Sequence, residues 1–174
     1  MYRFLFIFLG FSCLFSCTDN KSVEKDNSES VWTRKESTTL NKRLAQEDEV
    51  NIRLFLKRHK EWEMQSTGTG LQYWIYRDKD GVTAKKGDVV DVWFSIQKLD
   101  ETVLYETEEG ELSNFKVDQS HVESGVMEGI KKMAEGERAK LIIPSHLGHG
   151  LLGDSRKIPP LQVLLVDIEL VKIY

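Results

Sequence analysis

The sequence predicts an α+β domain in which an antiparallel β-sheet is crossed by one short helix, with an amphipathic helix ahead of it. Three patterns carry this prediction. Val90, Val92, Phe94 and Ile96 alternate with Val89, Asp91, Trp93, Ser95 and Gln97, and Leu164, Val166, Ile168 and Leu170 alternate in the same way near the C-terminus. Val122, Val126, Ile130 and Met133 are spaced by four, four and three instead, the period of a helix face.

In chain order, residues 1–16 form a leader. A single basic residue, Arg3, precedes an apolar run over 4–15, too short for a comfortable membrane span of about 20 residues but suited to a secretory signal peptide. Leu14-Phe15-Ser16-Cys17 resembles a bacterial lipobox, so Cys17 is the expected lipidation site and the new N-terminus; an ordinary cleaved signal ending in Ser-Cys is the alternative. Residues 17–39 read as a lipidated tether, because Val23, Val31 and Trp32 are too few large apolar residues to offset the entropy of ordering so polar a stretch. Residues 40–66 hold the amphipathic helix, with Leu40, Leu44, Ile52, Phe55 and Leu56 at helical spacing. Its expected role is to pack on the domain that follows, with pairing to a second copy as the alternative.

Residues 67–174 carry the domain. After Ser66-Thr67-Gly68-Thr69-Gly70, a strand is expected with Leu71, Tyr73 and Ile75 on one face, closed by the turn Asp78-Lys79-Asp80-Gly81. The strand at 89–97 follows, then shorter ones at 102–105 and 114–117, the internal helix, a strand at 139–143 after the turn Glu135-Gly136-Glu137, and the last strand at 163–173.

Composition narrows the chemistry. Of 174 residues, 40% are hydrophobic and 30% charged; beyond the leader, 23 Lys and Arg face 28 Asp and Glu, an acidic balance that disfavours nucleic acid as a partner. Both cysteines, Cys13 and Cys17, lie at the leader, which leaves the body without disulfides, Cys-bound zinc or a thiol nucleophile. The sequence contains no Gly-x-Ser-x-Gly elbow, no phosphate-binding Gly-rich loop before a helix and no His-Glu-x-x-His motif. His146, His149 and Asp154 make a metal site conceivable, but the glycines around them indicate a loop with no assured third ligand, and no metal or other cofactor is expected.

Five segments stand out in order: Gly125-Val-Met-Glu-Gly-Ile130; Met133-Ala-Glu-Gly-Glu-Arg-Ala-Lys-Leu-Ile-Ile-Pro144; Gly148-His-Gly-Leu-Leu-Gly153; Ile158-Pro-Pro160; and Val166-Asp-Ile-Glu-Leu170. Through these the chain resembles the FKBP-type peptidyl-prolyl isomerases from about Gly87 to Ile173. With the lipobox, tether and preceding helix, and the wording around Phe115-Lys-Val-Asp118, Glu123-Ser-Gly125 and Gly153-Asp-Ser-Arg-Lys-Ile158, it is similar to the gliding-motility-associated FKBP lipoproteins. The resemblance implies a strongly bent antiparallel sheet wrapped over one short helix. It also implies isomerisation of X-Pro bonds in exported proteins, in a bacterial envelope location anchored by lipid, at the outer membrane and facing the periplasm.

Carried over position by position, the resemblance places Phe94 where the family usually has Tyr, Leu104 in place of Phe, and Tyr105 where a polar Asp is usual. Val122 matches an apolar wall residue, and Glu123 follows with a main-chain N–H suited to holding a substrate carbonyl. Val126 takes the floor position of a Trp, His149 that of a loop Tyr, and Val166 that of a wall aromatic, while Ile158 before Pro159-Pro160 matches. On residue type alone, Phe94, Leu104, Val126 and Val166 are equally suited to a core. A catalytically weak chaperone or binding module, or a structural subunit of an envelope machine, remains the alternative function.

Overall fold

The computed structural model describes residues 33–174; the expected signal peptide, Cys17 and the tether up to Trp32 lie outside the described residues. Among the described residues no helix is long and apolar enough to cross a membrane.

Helix α1 spans Arg34–Leu56, starting six residues before the expected position and ending well before residue 66. The early start has a local cause. Thr33 Oγ1 accepts from the Glu36 N–H at 3.2 Å while the Glu36 carboxylate accepts from the Thr33 N–H at 2.8 Å, a capping box that pairs two helix-end groups otherwise left without intrahelical partners. A polar segment assigned to the tether for want of an apolar face thus becomes the first turns of a helix. Apolar burial begins further along, where Ile52 and Phe55 pack with Ile142, Val163 and Leu165 on the outer face of the sheet. Packing on the domain is therefore what the C-terminal half of α1 does, and burying Phe55 alone contributes about 2 kcal/mol.

The strands are β1 (Gln65–Ser66), β2 (Gln72–Arg77), β3 (Val89–Lys98), β4 (Val103–Glu106), β5 (Ser113–Lys116), β6 (Arg138–Ile143) and β7 (Leu164–Ile173), and every pairing between them is antiparallel. The order across the sheet is β1-β2-β6-β7-β3-β4, with β5 also paired to β3. Two-residue β1 carries too little pattern to be recognised in sequence. On the free side of β3, its first half pairs with β5 from Val89↔Lys116 to Val92↔Ser113, and its second half pairs with β4 from Ser95↔Glu106. One strand serving two neighbours bends the sheet, and helix α2 (Ser124–Ile130) lies in the concave side.

Alternation places the core. Val90, Val92 and Ile96 of β3 and Leu164, Val166, Ile168 and Leu170 of β7 face α2 in one buried cluster, whereas Leu165 and Ile142 face α1 in another. Helix α2 is shorter than its apolar spacing suggests: Val122 precedes it and Met133 lies in the turn after it, both packed into or against the same core. Gly125 and Gly129 let α2 approach the sheet closely, since a Cβ on Gly129 would stand 2.6 Å from Leu141 Cδ1, a side chain with no exposed surface.

Gly129→Ala sets a gain in helix propensity of about 1 kcal/mol against overpacking of about 1–3 kcal/mol. Because Leu141 is enclosed, overpacking prevails, and urea unfolding should show a net loss of up to about 2 kcal/mol.

Candidate functional site

A cleft of about 610 Å³ opens on the concave side, between β3, β7, the start of α2 and the loop between β6 and β7. Its interior is apolar: Val92, Phe94 and Ile96 from β3, Val166 and Ile168 from β7, Phe115 from β5, and Val122, Val126 and Ile158. The strand residues reach it by alternation, and Val126 by pointing from the first turn of α2 toward the sheet.

Two polar pairs close the rim against the β6–β7 loop. His149 Nε2 lies 2.6 Å from a Glu123 carboxylate oxygen, joining the loop to the start of α2; both side chains are partly buried. The Tyr105 hydroxyl donates to Asp154, joining the loop to β4. The other Asp154 oxygen accepts from the main-chain N–H groups of Arg156 and Ile158, each at 2.8 Å, which folds the loop so that Ile158 faces the cleft. Gly153 permits that fold, because it has φ +66° and a Cβ there would collide with the Ile158 carbonyl oxygen. Lys157 Nζ lies 4.9 Å from the centre of the Tyr105 ring, a cation–π contact on the same clasp.

Eight of the nine cleft residues expected from sequence line it: Phe94, Tyr105, Val122, Glu123, Val126, His149, Ile158 and Val166. Leu104 does not. The register of β4 slips between Ile96↔Tyr105 and Gln97↔Val103, so Leu104 is the unpaired residue of a bulge, and its side chain is buried in the core. His146, His149 and Asp154 do not converge on a metal, since His146 Nε2 sits 3.0 Å from the Thr69 carbonyl and the other two belong to the separate rim pairs. Sequence reasoning missed Asp154 as a cleft residue, although Asp followed by Ser155 in a Gly-flanked loop is a turn signal. Tyr105 stands where an Asp was expected, and the structure supplies a carboxylate opposite it from Asp154.

Desolvation by surrounding atoms pushes the Asp154 carboxyl upward, but the Tyr105 hydroxyl and the loop N–H groups outweigh it and hold the group well below the usual carboxylate range. The bond to Asp154 is the main cause that raises the Tyr105 phenol above its ordinary value. A lowered carboxylate stabilises the fold above its unfolded value of about 4 and loses that effect as pH falls; a raised phenol stabilises below about 10 and loses it as pH rises. The excess Tm of the unaltered chain over Asp154→Asn should therefore be flat between about pH 5 and 9 and shrink beyond both ends.

Comparison with known proteins places this architecture. The profile of the FKBP-type peptidyl-prolyl cis-trans isomerases matches residues 81–171, more than half of the chain. Human peptidyl-prolyl cis-trans isomerase FKBP9 is 35% identical over 100 residues, 56% of this chain and 18% of that protein. The probable FKBP-type isomerase FkpA of Neisseria meningitidis is 33% identical over 110 residues, 63% of this chain and 40% of its own length. The chain thus spans less than half of either relative. The crystal structure of Escherichia coli FkpA superposes with a TM-score of 0.65 at 28% identity, covering 79% of this chain and 64% of that one. An apolar cleft on a bent sheet, with a single helix across it and the profile match over the same residues, leads to one conclusion: the chain belongs to the FKBP-type peptidyl-prolyl cis-trans isomerase family.

Proposed function

We propose that the chain accelerates X-Pro isomerisation in proline-containing segments of exported proteins, from a position held to the bacterial envelope by lipid on Cys17. The observation that carries the reading is the cleft itself: an apolar floor of Phe94, Val126, Ile158 and Val166 beneath a rim of polar groups already paired with one another. Rotation about an X-Pro bond makes and breaks no covalent bond. It crosses a barrier of about 18–20 kcal/mol set by amide resonance, so the site needs no nucleophile or proton relay.

Water stabilises the planar, charge-separated amide more than the twisted one. Moving the prolyl ring onto the apolar floor removes that solvation and favours the twisted state. Glu123 contributes through its backbone, because its N–H precedes α2 and has no intrahelical acceptor, which leaves it available to a substrate carbonyl. Val126 and Val166, smaller than the aromatics the resemblance assigns there, make the floor broad.

The envelope location rests on the leader and on Leu14-Phe15-Ser16-Cys17. Its kinship to the gliding-motility-associated lipoproteins rests on the local wording around 115–118, 123–125 and 153–158.

In proline-limited refolding of a test protein, the purified chain should shorten the uncatalysed phase of tens of seconds. An unchanged rate at high enzyme concentration would favour a binding module instead. Val126→Arg should abolish the acceleration in protein that circular dichroism shows to be folded, because a guanidinium at the floor forces water or charge into the site. Cys17→Ser should move the protein from the membrane to the soluble fraction; unchanged fractionation rejects lipidation.

A further inference from the structure

The 3-10 turn Ser145–Leu147, which leads into the loop bearing His149, begins without a cap of its own. Pro144 holds the N-cap position and makes no side-chain hydrogen bond. The acceptor comes instead from α1, 97 residues away in sequence: Asp48 Oδ2 accepts from the Ser145 N–H at 2.9 Å and from its Oγ at 2.7 Å. Asp48 is only 6% exposed, and burying a carboxylate is costly unless donors compensate it. Docking of α1 does not require it, since Ile52 and Phe55 already seat the helix.

What the contact controls lies further along the turn. The Ser145 carbonyl accepts from the N–H groups of Gly148 and Gly150 at 3.1 and 2.8 Å, and these two glycines bracket His149. The Leu147 carbonyl accepts from Ser124 Oγ at 3.1 Å, and Ser124 adjoins Glu123. The residue capped by Asp48 is therefore fixed to one member of the rim pair, and its turn is fixed to the other. A second tie runs from His146 to the Thr69 carbonyl and from Thr69 Oγ1 to Glu128 of α2 at 2.7 Å, which holds the turn independently of Asp48.

We propose that Asp48 is a positioning residue for the isomerase site, holding His149 against Glu123 across the cleft mouth, so that α1 is a working part of the site as well as its support. The proposal rests on the isomerase reading above and extends it. The prolyl-binding floor contains neither Asp48 nor Ser145, so losing the contact disturbs the rim that orients the amide and spares the binding of the ring.

The test compares Asp48→Ala, Asp48→Asn, Ser145→Ala and Ile52→Ala in the full chain, with a short X-Pro peptide as substrate. Asp48→Ala should lower kcat about tenfold with KM little changed. Asp48→Asn, which keeps an acceptor for Ser145, should recover most of the loss, and Ser145→Ala should show part of it. Ile52→Ala should lower Tm yet leave kcat of the folded protein unaltered. Equal kcat for folded Asp48→Ala, folded Ile52→Ala and the unaltered chain would overturn the proposal.

If the unaltered chain has no isomerase activity, that reading fails by itself, and amide NMR decides the positioning. The Gly148, His149 and Gly150 signals should move in Asp48→Ala and Ser145→Ala and stay in place in Ile52→Ala. Unmoved signals overturn the proposal, as they would if Asp48→Ala fails to fold and Ser145→Ala alone is read.

Discussion

The structure depends on how β3 divides its free edge. Along one side it pairs with β7 over its full length, while on the other β5 takes its first half and β4 its second. Among the described residues no strand covers that edge between Val92↔Ser113 and Ser95↔Glu106, and Phe94 lies in the interval. Its main chain is satisfied all the same, because the Phe94 N–H donates to Thr107 Oγ1 at 3.1 Å and the Phe94 carbonyl accepts from the Thr107 N–H at 2.9 Å. A break in pairing that would otherwise leave polar groups unmatched is thus closed by Thr107. Phe94 lines the cleft on the concave side.

The division of labour in the cleft fits the proposed reaction. Desolvating a neutral amide calls for apolar floor, and the polar residues that approach it are engaged with one another: Glu123 with His149, and Tyr105 with Asp154. Each pair joins the β6–β7 loop to a different element, so the rim is organised by charge and hydrogen bonding while the floor is organised by packing. Substituting aliphatic residues at the floor alters its shape without introducing a polar group, whereas the rim depends on residues far apart in sequence meeting at the right distance.

What was legible in the sequence follows the range of the forces involved. The alternation in β3 and β7 identified both the strands and the faces that meet α2, because a half-buried strand must repeat every second residue. The start of α1 carries no apolar periodicity, because a capping box between Thr33 and Glu36 needs no apolar face. Leu104 was misplaced because a bulge shifts a residue's direction without altering the local pattern. Asp154 was weighed as a metal ligand, since only the fold brings Tyr105 to it from 49 residues away. Asp48 is one charge among many on a polar helix, and only the fold brings Ser145 to it from 97 residues away.

By itself, then, the sequence determined the fold class, the family resemblance, the strands other than β1 and the apolar character of the cleft. These rest on periodicity and local motif spacing, which a linear chain displays. Tertiary structure alone decided which residues close the rim, where β4 slips, and that α1 caps the loop holding His149. Each of those outcomes is a short-range polar or steric contact between segments distant in the chain, with a geometry of a few ångströms that no local pattern encodes.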